Sequence, residues 1–334
     1  MFDWLPTDNL ILNLVILLVG FVALIKGADI FVDGSADVAR KFKVPGVIIG
    51  LTIVAMGTSA PELAVSVSAG LSGSNQIAVS NVVGSNIFNL IVVLGVCALL
   101  KPLPVDTRIK KRDFPISLVA TAALVFMAAL YIIFGPRPDM SDTMATAGII
   151  SRIGGIILMI GFVAYMLYTI KYAKNNKTED DDSANTSSLL KDIVFIVLGA
   201  AMIVAGGDGV VSSAKNLAMM WGMSETLVGL TIVAIGTSLP ELVTSIVASV
   251  KGENGMAIGN VVGSNIFNLL LILGVSSTIR PIPVTVASFF DLSLLLGVSI
   301  VAFIFVCTGK KITRIEGGIM VLMYIAYTTY AILR

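Results

Sequence analysis

The chain has 334 residues, 56% of them hydrophobic and only 13% charged, with a formal net charge of +1 and a mean hydropathy of +0.97. A water-soluble protein carries roughly 25% charged residues, so much of the missing polar surface must face lipid. The near-zero net charge argues against nucleic acid as a partner, and apolar runs leave no room for a sizeable soluble domain.

A spanning helix needs about 20 apolar residues. In chain order, apolar runs and polar breaks predict helices over residues 10–36, 44–72, 76–99, 114–134, 146–170, 190–214, 225–250, 256–277, 287–307 and 315–333. The expected fold is therefore an all-α integral membrane protein of about ten transmembrane helices, multi-pass in the inner (plasma) membrane. Residues 1–9 are acidic and no small-residue cleavage site follows them, so no signal peptide is expected.

Placing the N-terminus outside puts sixteen lysines and arginines on the cytoplasmic side. They include Arg40, Lys41, Arg108, Lys110, Lys111, Arg112 and Lys251. Only Arg137, Arg152, Lys215, Arg280 and Arg334 fall on or near the outer side, and Lys26 lies within the first span. The positive-inside rule then puts both termini on the extracytoplasmic side. The one long polar stretch, residues 172–188, falls in the cytoplasm. Its run Glu179-Asp180-Asp181-Asp182 reads as part of a solvated linker. Trp4 and Trp221 read as interfacial anchors. Cys97 and Cys307, both in apolar runs, read as small buried hydrophobes rather than a disulfide or thiolate site. The chain has no histidine, which removes the commonest transition-metal ligand.

The strongest feature is an internal repeat. Residues 50–70, GLTIVAMGTSAPELAVSVSAG, recur as 229–249, GLTIVAIGTSLPELVTSIVAS, with 14 of 21 positions identical. Residues 77–96 recur as 256–275 with 14 of 20 identical, at the same offset of 179. That offset also carries Lys101-Pro-Leu-Pro-Val onto Arg280-Pro-Ile-Pro-Val and Asp29 onto Asp208. Shared apolar composition would let the register drift; a constant offset means duplication. The division is residues 1–172 (spans one to five), a linker over 173–189, and residues 190–334 (spans six to ten). An odd number of spans per half inverts the second copy in the membrane. Inverted repeats place their binding site near the midplane, where broken helices meet.

Glu62 and Glu241 are the duplicated acidic groups of these motifs. Counting from opposite faces at 1.5 Å per residue, both lie roughly 25 Å along their helices, somewhat past the middle of a ~30 Å hydrocarbon core if upright and closer to it if tilted. A carboxylate there is costly and must be compensated. No lysine or arginine lies at matching depth in either repeat, so the simplest counter-charge is a bound cation.

The neighbours suit a hard cation. Thr58, Ser59 and Glu62 share one helix face at i, i+1 and i+4, and Thr237, Ser238 and Glu241 repeat the arrangement. Pro61 deprives the Gly57 carbonyl of its helical donor, and Pro240 does the same to Gly236, so both helices are expected to break there. Ser85 and Asn89, with their copies Ser264 and Asn268, add neutral oxygens at i, i+4 on the next helix. Calcium takes 6–8 oxygen ligands, which this set can supply. Two glutamates neutralise one Ca²⁺, or two or three Na⁺ with a small residual charge. The two ions have nearly equal radii, so one flexible cage can hold either but not both at full occupancy. Gly50, Gly84, Gly229 and Gly263 read as helix-packing positions. Asp29 and Asp208 read as structural or gating groups, with Lys26 placed to pair with Asp29 at i, i+3 or to snorkel.

Gly57-Thr58-Ser59-Ala60-Pro61-Glu62 and Gly236-Thr237-Ser238-Leu239-Pro240-Glu241, each followed by Gly-Ser-Asn-Ile-Phe-Asn, resemble the α-repeats of the sodium/calcium exchanger family. The resemblance spans essentially all ten helices. It implies Na⁺/Ca²⁺ antiport by alternating access, with the first and sixth helices moving across a fixed core. Carried over residue by residue, it implies ligands from Thr58, Ser59, Glu62, Ser85 and Asn89, faced by Thr237, Ser238, Glu241, Ser264 and Asn268. The backbone carbonyls of Ala55 and Ala234 are implied as well. Ca²⁺ and Na⁺ would be bound as substrates, with no cofactor and no protein partner indicated. Some relatives carry Asp in the second repeat where this chain has Asn268; losing that titratable group weighs against a coupled proton and leaves potassium open. Calcium/proton exchangers show a Gly-Asn-x-x-Glu motif instead. Antiport with H⁺, K⁺ or another divalent ion stands as the alternative. A channel fits an antiparallel repeat less well. An enzyme would need a nucleophile–base pair or phosphate loop, and the sequence offers neither.

Overall fold

A computed structural model describes residues 9–73, 75–134, 139–176, 188–223 and 234–333. The helices, in chain order, are α1 (Leu10–Lys41), α2 (Gly46–Thr58), α3 (Ala60–Ser72), α4 (Gln76–Leu100), α5 (Ile109–Ile133), α6 (Arg152–Asn175), α7 (Leu189–Met220), α8 (Leu239–Val250), α9 (Asn254–Ile279), α10 (Val286–Thr308) and α11 (Arg314–Leu333). Among the described residues seven are long and apolar enough to cross a membrane. Counting α2 and α3 as one span, bent by 48°, makes eight. The architecture is that of a helical, multi-pass membrane protein. Trp4, Gly229, the acidic run 179–182 and the start of the expected seventh span lie outside the described residues.

Duplication is visible in the helices themselves. α1 and α7 are both 32 residues long, and their ends are displaced by the same 179 positions that relate the motifs. They are each other's principal packing partner. Glycines let the two backbones touch. A Cβ on Gly27 would meet the Gly199 carbonyl at 3.0 Å, and one on Gly206 would meet the Gly20 carbonyl at 2.7 Å. Each glycine therefore meets the copy of the other, as an antiparallel seam requires.

α4 and α9 are the buried centre, with 83% and 89% of their apolar windows enclosed, whereas α1 and α7 are each enclosed over only 22%. Gly50 packs its backbone on Met256 of α9, and a Cβ on Gly263 would meet Leu51 Cα at 2.7 Å, so both serve packing. Gly84 departs from that expectation: no described atom lies within 4 Å of a Cβ built there.

Four short strands interrupt the all-helical expectation. β1 (Leu103–Pro104) pairs antiparallel with β4 (Lys311–Ile312), and β2 (Thr146–Ile150) with β3 (Ile282–Thr285). The Pro-x-Pro segments that follow α4 and α9 cannot continue a helix, and their remaining backbone groups find partners in these strands. Residues 146–150, expected to open the fifth span, are thereby drawn into β2, and α6 starts at Arg152 behind the N-cap Ser151.

Ionic contacts gather at the membrane edges. Asp113, fully buried at the start of α5, accepts from Arg108 Nε at 3.0 Å, from Arg112, and from the Tyr165 hydroxyl of α6 at 3.2 Å. Arg108 and Arg112 stack on Tyr172 and Tyr168 of α6 at 4.2 and 4.7 Å. Asp29 pairs with Lys251 at 2.7 Å rather than with Lys26, and Asp33 shares the same ammonium at 2.6 Å. Trp221, 75% exposed, caps α7, as an interfacial anchor would. Cys97 is buried, but Cys307 is exposed on α10, next to the buried Val306, so only the first is a buried hydrophobe.

Candidate functional site

The two broken helices build the site. α2 ends and α3 begins across Ser59, whose φ of −85° and ψ of 9° leave the helical region; Ser238 before α8 has −93° and 4°. The break therefore falls two residues after Gly57, not at it. Pro61 and Pro240 are the second residues of the new helices, still within the first turn, where a missing N–H costs no helical bond. Glu62 and Glu241 consequently sit in the first turns of α3 and α8. There the free backbone N–H groups and the positive end of the helix dipole favour an anion.

Both carboxylates are 0% exposed, and each meets hydroxyls from both halves of the chain. Glu241 Oε1 accepts from Ser59 Oγ at 2.7 Å and from Ser264 Oγ at 3.3 Å. Glu62 Oε1 accepts from Ser238 Oγ at 3.5 Å and from Ser85 Oγ at 3.4 Å. The pattern is reciprocal: each glutamate takes one serine from its own repeat and one from the other. The second oxygen of each, Oε2, is buried with no hydrogen-bonding partner in the protein. Among the described residues no lysine or arginine pairs with either glutamate. Two formal charges thus face each other inside the bundle with only neutral donors around them.

Asn89 and Asn268 lie one helical turn beyond Ser85 and Ser264. Each gives its amide N–H to an asparagine of the opposite repeat, Asn89 to Asn265 Oδ1 at 3.2 Å and Asn268 to Asn86 Oδ1 at 2.9 Å. Both are fully buried, and their own carbonyl oxygens have no partner. Local backbone supports the arrangement: a π-helical turn, Asn89–Val93, begins at Asn89, and another, Phe267–Ile272, contains Asn268. Such turns interrupt the regular ladder and are frequent at functional sites.

Of the residues singled out from sequence, seven fall into two hydrogen-bonded sets that each draw on both repeats: Thr58, Ser59 and Ser264 around Glu241, and Ser85 and Ser238 around Glu62. The Ala55 carbonyl accepts the Ser59 amide at 3.0 Å and has the Thr58 hydroxyl at 3.4 Å. Thr237 is half-buried and reaches Asn81 at 3.5 Å; Ala234 begins a single helical turn, Ala234–Gly236. Four asparagines were not foreseen. Asn86 and Asn265 exchange amide-to-carbonyl bonds, each 3.3 Å, and so join α4 to α9. Asn81 and Asn260 lie one turn before Ser85 and Ser264. The signal was present, since all four are identical at the offset of 179 and two of them continue the face that carries the serine and asparagine candidates.

Among the described residues no three Asp, Glu, Cys or His side chains converge, so a cation placed here would meet two carboxylates and neutral oxygens. Four unpartnered buried oxygens, from Glu62, Glu241, Asn89 and Asn268, together with the surrounding hydroxyls, form an all-oxygen donor set. That set suits a hard ion and offers nothing to a soft one.

Comparison with known proteins gives the same direction. The family model for the sodium/calcium exchanger protein matches residues 12–171 and 191–333. CaxA from Alkalimonas amylolytica is 38% identical over 325 residues, covering 94% of this chain and 96% of CaxA. The sodium/calcium exchanger MaX1 from Methanosarcina acetivorans is 35% identical, covering 94% of this chain and 97% of MaX1. A solved structure of the sodium-calcium exchanger NCX_Mj, soaked with Na⁺ and Sr²⁺, superimposes with a TM-score of 0.79 at 32% identity, covering 95% of this chain and 98% of that one. With the pattern running through both halves of the sequence, the chain belongs to the sodium/calcium exchanger protein family.

Proposed function

We propose that this chain is a secondary active antiporter that exchanges Na⁺ for Ca²⁺ by alternating access, with Glu62 and Glu241 as shared cation ligands. The observation that carries the reading is the pair of fully enclosed carboxylates, each with one oxygen that no protein group satisfies. An uncompensated buried charge is costly, and neutral hydroxyls offset only part of that cost. A divalent ion between the two glutamates cancels both charges, and so do Na⁺ ions in its place. Because both use the same oxygens, one must leave before the other binds, which is the requirement for coupled exchange.

In this reading Thr58, Ser59, Ser85 and Asn89 serve with Thr237, Ser238, Ser264 and Asn268, and the Ala55 and Ala234 carbonyls complete the cage. The architecture is two inverted five-helix repeats, residues 1–172 and 190–334, joined by a cytoplasmic linker, with both termini extracytoplasmic. The reciprocal hydrogen bonds across the site and the 179-residue match of α1 to α7 support it. Calcium and sodium are substrates, so no resident cofactor is required.

Calcium uptake into proteoliposomes under imposed gradients tests this. An outward sodium gradient alone is expected to drive uptake. Uptake driven by a proton gradient without sodium would move the assignment to proton-coupled divalent antiport, and a requirement for potassium would make it a three-ion exchanger. No uptake under any of these gradients would overturn it.

A further inference from the structure

We propose that Asn260 and Asn81 are positioning residues that turn the threonine oxygens of the opposite repeat toward the bound ion. The inference rests on the reading that Thr58, Thr237 and the two glutamates hold the cation.

A hydroxyl has one hydrogen and two lone pairs. It ligates a cation only when its hydrogen points elsewhere, so something must take that hydrogen. Thr58 Oγ1 has four acceptors in reach: Asn260 Oδ1 at 3.0 Å, the Val54 carbonyl at 3.2 Å, the Ala55 carbonyl at 3.4 Å and Ser264 Oγ at 3.5 Å. Asn260 is the nearest, the Ala55 carbonyl already takes the Ser59 amide, and Ser264 is the most distant. Asn260 also belongs to the other repeat.

The orientation of Asn260 is not free. Its amide nitrogen donates to Ser245 Oγ at 2.9 Å and to the Glu241 backbone carbonyl at 3.4 Å. Turning the amide over would set its carbonyl oxygen against that of Glu241, with no hydrogen between them. Asn260 is 0% exposed, so water does not relieve such a clash. Its Oδ1 is therefore fixed toward Thr58. The copy behaves alike. Asn81 donates to Ser66 Oγ at 3.1 Å and to the Glu62 carbonyl at 3.2 Å, and its Oδ1 receives Thr237 Oγ1 at 3.5 Å.

Each amide thus links the backbone of one glutamate to a hydroxyl across the repeat boundary. Ligands are held in place by partners behind them, and losing such a partner weakens ion binding without removing a ligand. The contact at Asn260 is the shorter, so it should matter more.

The test is a double-mutant cycle in proteoliposomes, reading the half-saturating Ca²⁺ concentration and the maximal rate separately. Asn260→Ala is expected to raise half-saturation about tenfold, the worth of one lost hydrogen bond, while the maximal rate changes less than about threefold. Thr58→Val should give a similar rise, and the double variant should be no worse than about tenfold, because both remove one arrangement. Asn81→Ala should raise half-saturation by only about two- to threefold. Multiplying effects at Asn260 and Thr58, an unchanged half-saturation in Asn260→Ala, or a larger effect at Asn81 would each overturn the proposal. If Asn260→Ala is not recovered as folded protein, Asn260→Leu, which keeps the side-chain volume and likewise offers Thr58 no acceptor, replaces it, and an unchanged half-saturation there also overturns the proposal. A wild type without sodium-driven calcium flux would defeat the functional reading itself, and this inference with it.

Discussion

The two halves of the chain agree at the site and disagree at the rims. Around Glu62 and Glu241 nearly every hydrogen bond has its counterpart 179 residues away: Ser59 with Ser238, Ser85 with Ser264, Asn81 with Asn260, Asn86 with Asn265. At the ends of the α1–α7 pair the correspondence is lost. Asn216 donates to Asn13 at 3.0 Å at one end, while Lys41 is bound to the buried Asp192 at the other. Yet Asp192 is the copy of Asn13, and Lys41 is matched by Met220. α5 starts in the Arg108–Asp113 cluster, whereas α10 starts with the neutral cap of Thr285, which accepts from the Ser288 amide at 3.2 Å. In the proposed inverted arrangement the midplane is the same from either direction, which accounts for duplicated chemistry there. The two faces of a membrane differ, and positive charge is retained on one of them.

That contrast can be broken at the centre first. Glu62→Gln and Glu241→Gln should each lower exchange by at least about a hundredfold, because removing either charge unbalances the cage. The proteins should still insert, which size-exclusion chromatography in detergent checks. Near-normal flux from one variant alone would show that the halves are not equivalent where they look most alike.

The rims should answer in stability rather than transport. Asp113→Asn leaves two arginines without their shared carboxylate in a buried setting. A loss of about 3–5 kcal/mol is expected, read from thermal or denaturant unfolding in detergent. An intact flux per folded molecule would keep the two regions distinct.

Smaller effects sharpen the comparison within the site. Ser59→Ala removes a 2.7 Å bond to Glu241 and Ser238→Ala a 3.5 Å bond to Glu62. Half-saturating Ca²⁺ should rise about tenfold in the first and about threefold in the second. Equal shifts would mean that the unequal distances carry no energetic difference. Smallest of all, Lys251→Ala frees two half-exposed aspartates and should cost less than about 1 kcal/mol in the same unfolding assay.

Much of this was legible in the residues alone. Of the ten expected spans, seven or eight stand among the described residues as hydropathy indicated, the duplication followed from a constant offset, and the glutamates singled out by the cost of charge in hydrocarbon are indeed buried. Finer features were not, each for a physical reason. The Pro61 rule locates a lost donor, but the chain relieves it at Ser59, where the dihedrals can relax between two helices. Residues 146–150 are apolar enough to read as helix; only a distant partner strand, with Ile282 facing Ile150 and Val284 facing Gly148, makes them β2. Asn81 and Asn260 lie on the candidate face, yet their partners are a backbone carbonyl and a hydroxyl from the other half, which spacing on one helix does not reveal.

The strand pairs have a consequence for how the chain holds together. β1 follows the central helix of the first half and is stitched to β4 in the second; β3 follows the central helix of the second and is stitched to β2 in the first. With α1 seamed to α7 as well, neither half closes upon itself. A gene cut between codons 177 and 187 should therefore yield two fragments that are insoluble or unstable apart and active when produced together. The covalent link there would be dispensable, its work already done by the embrace of the two pieces.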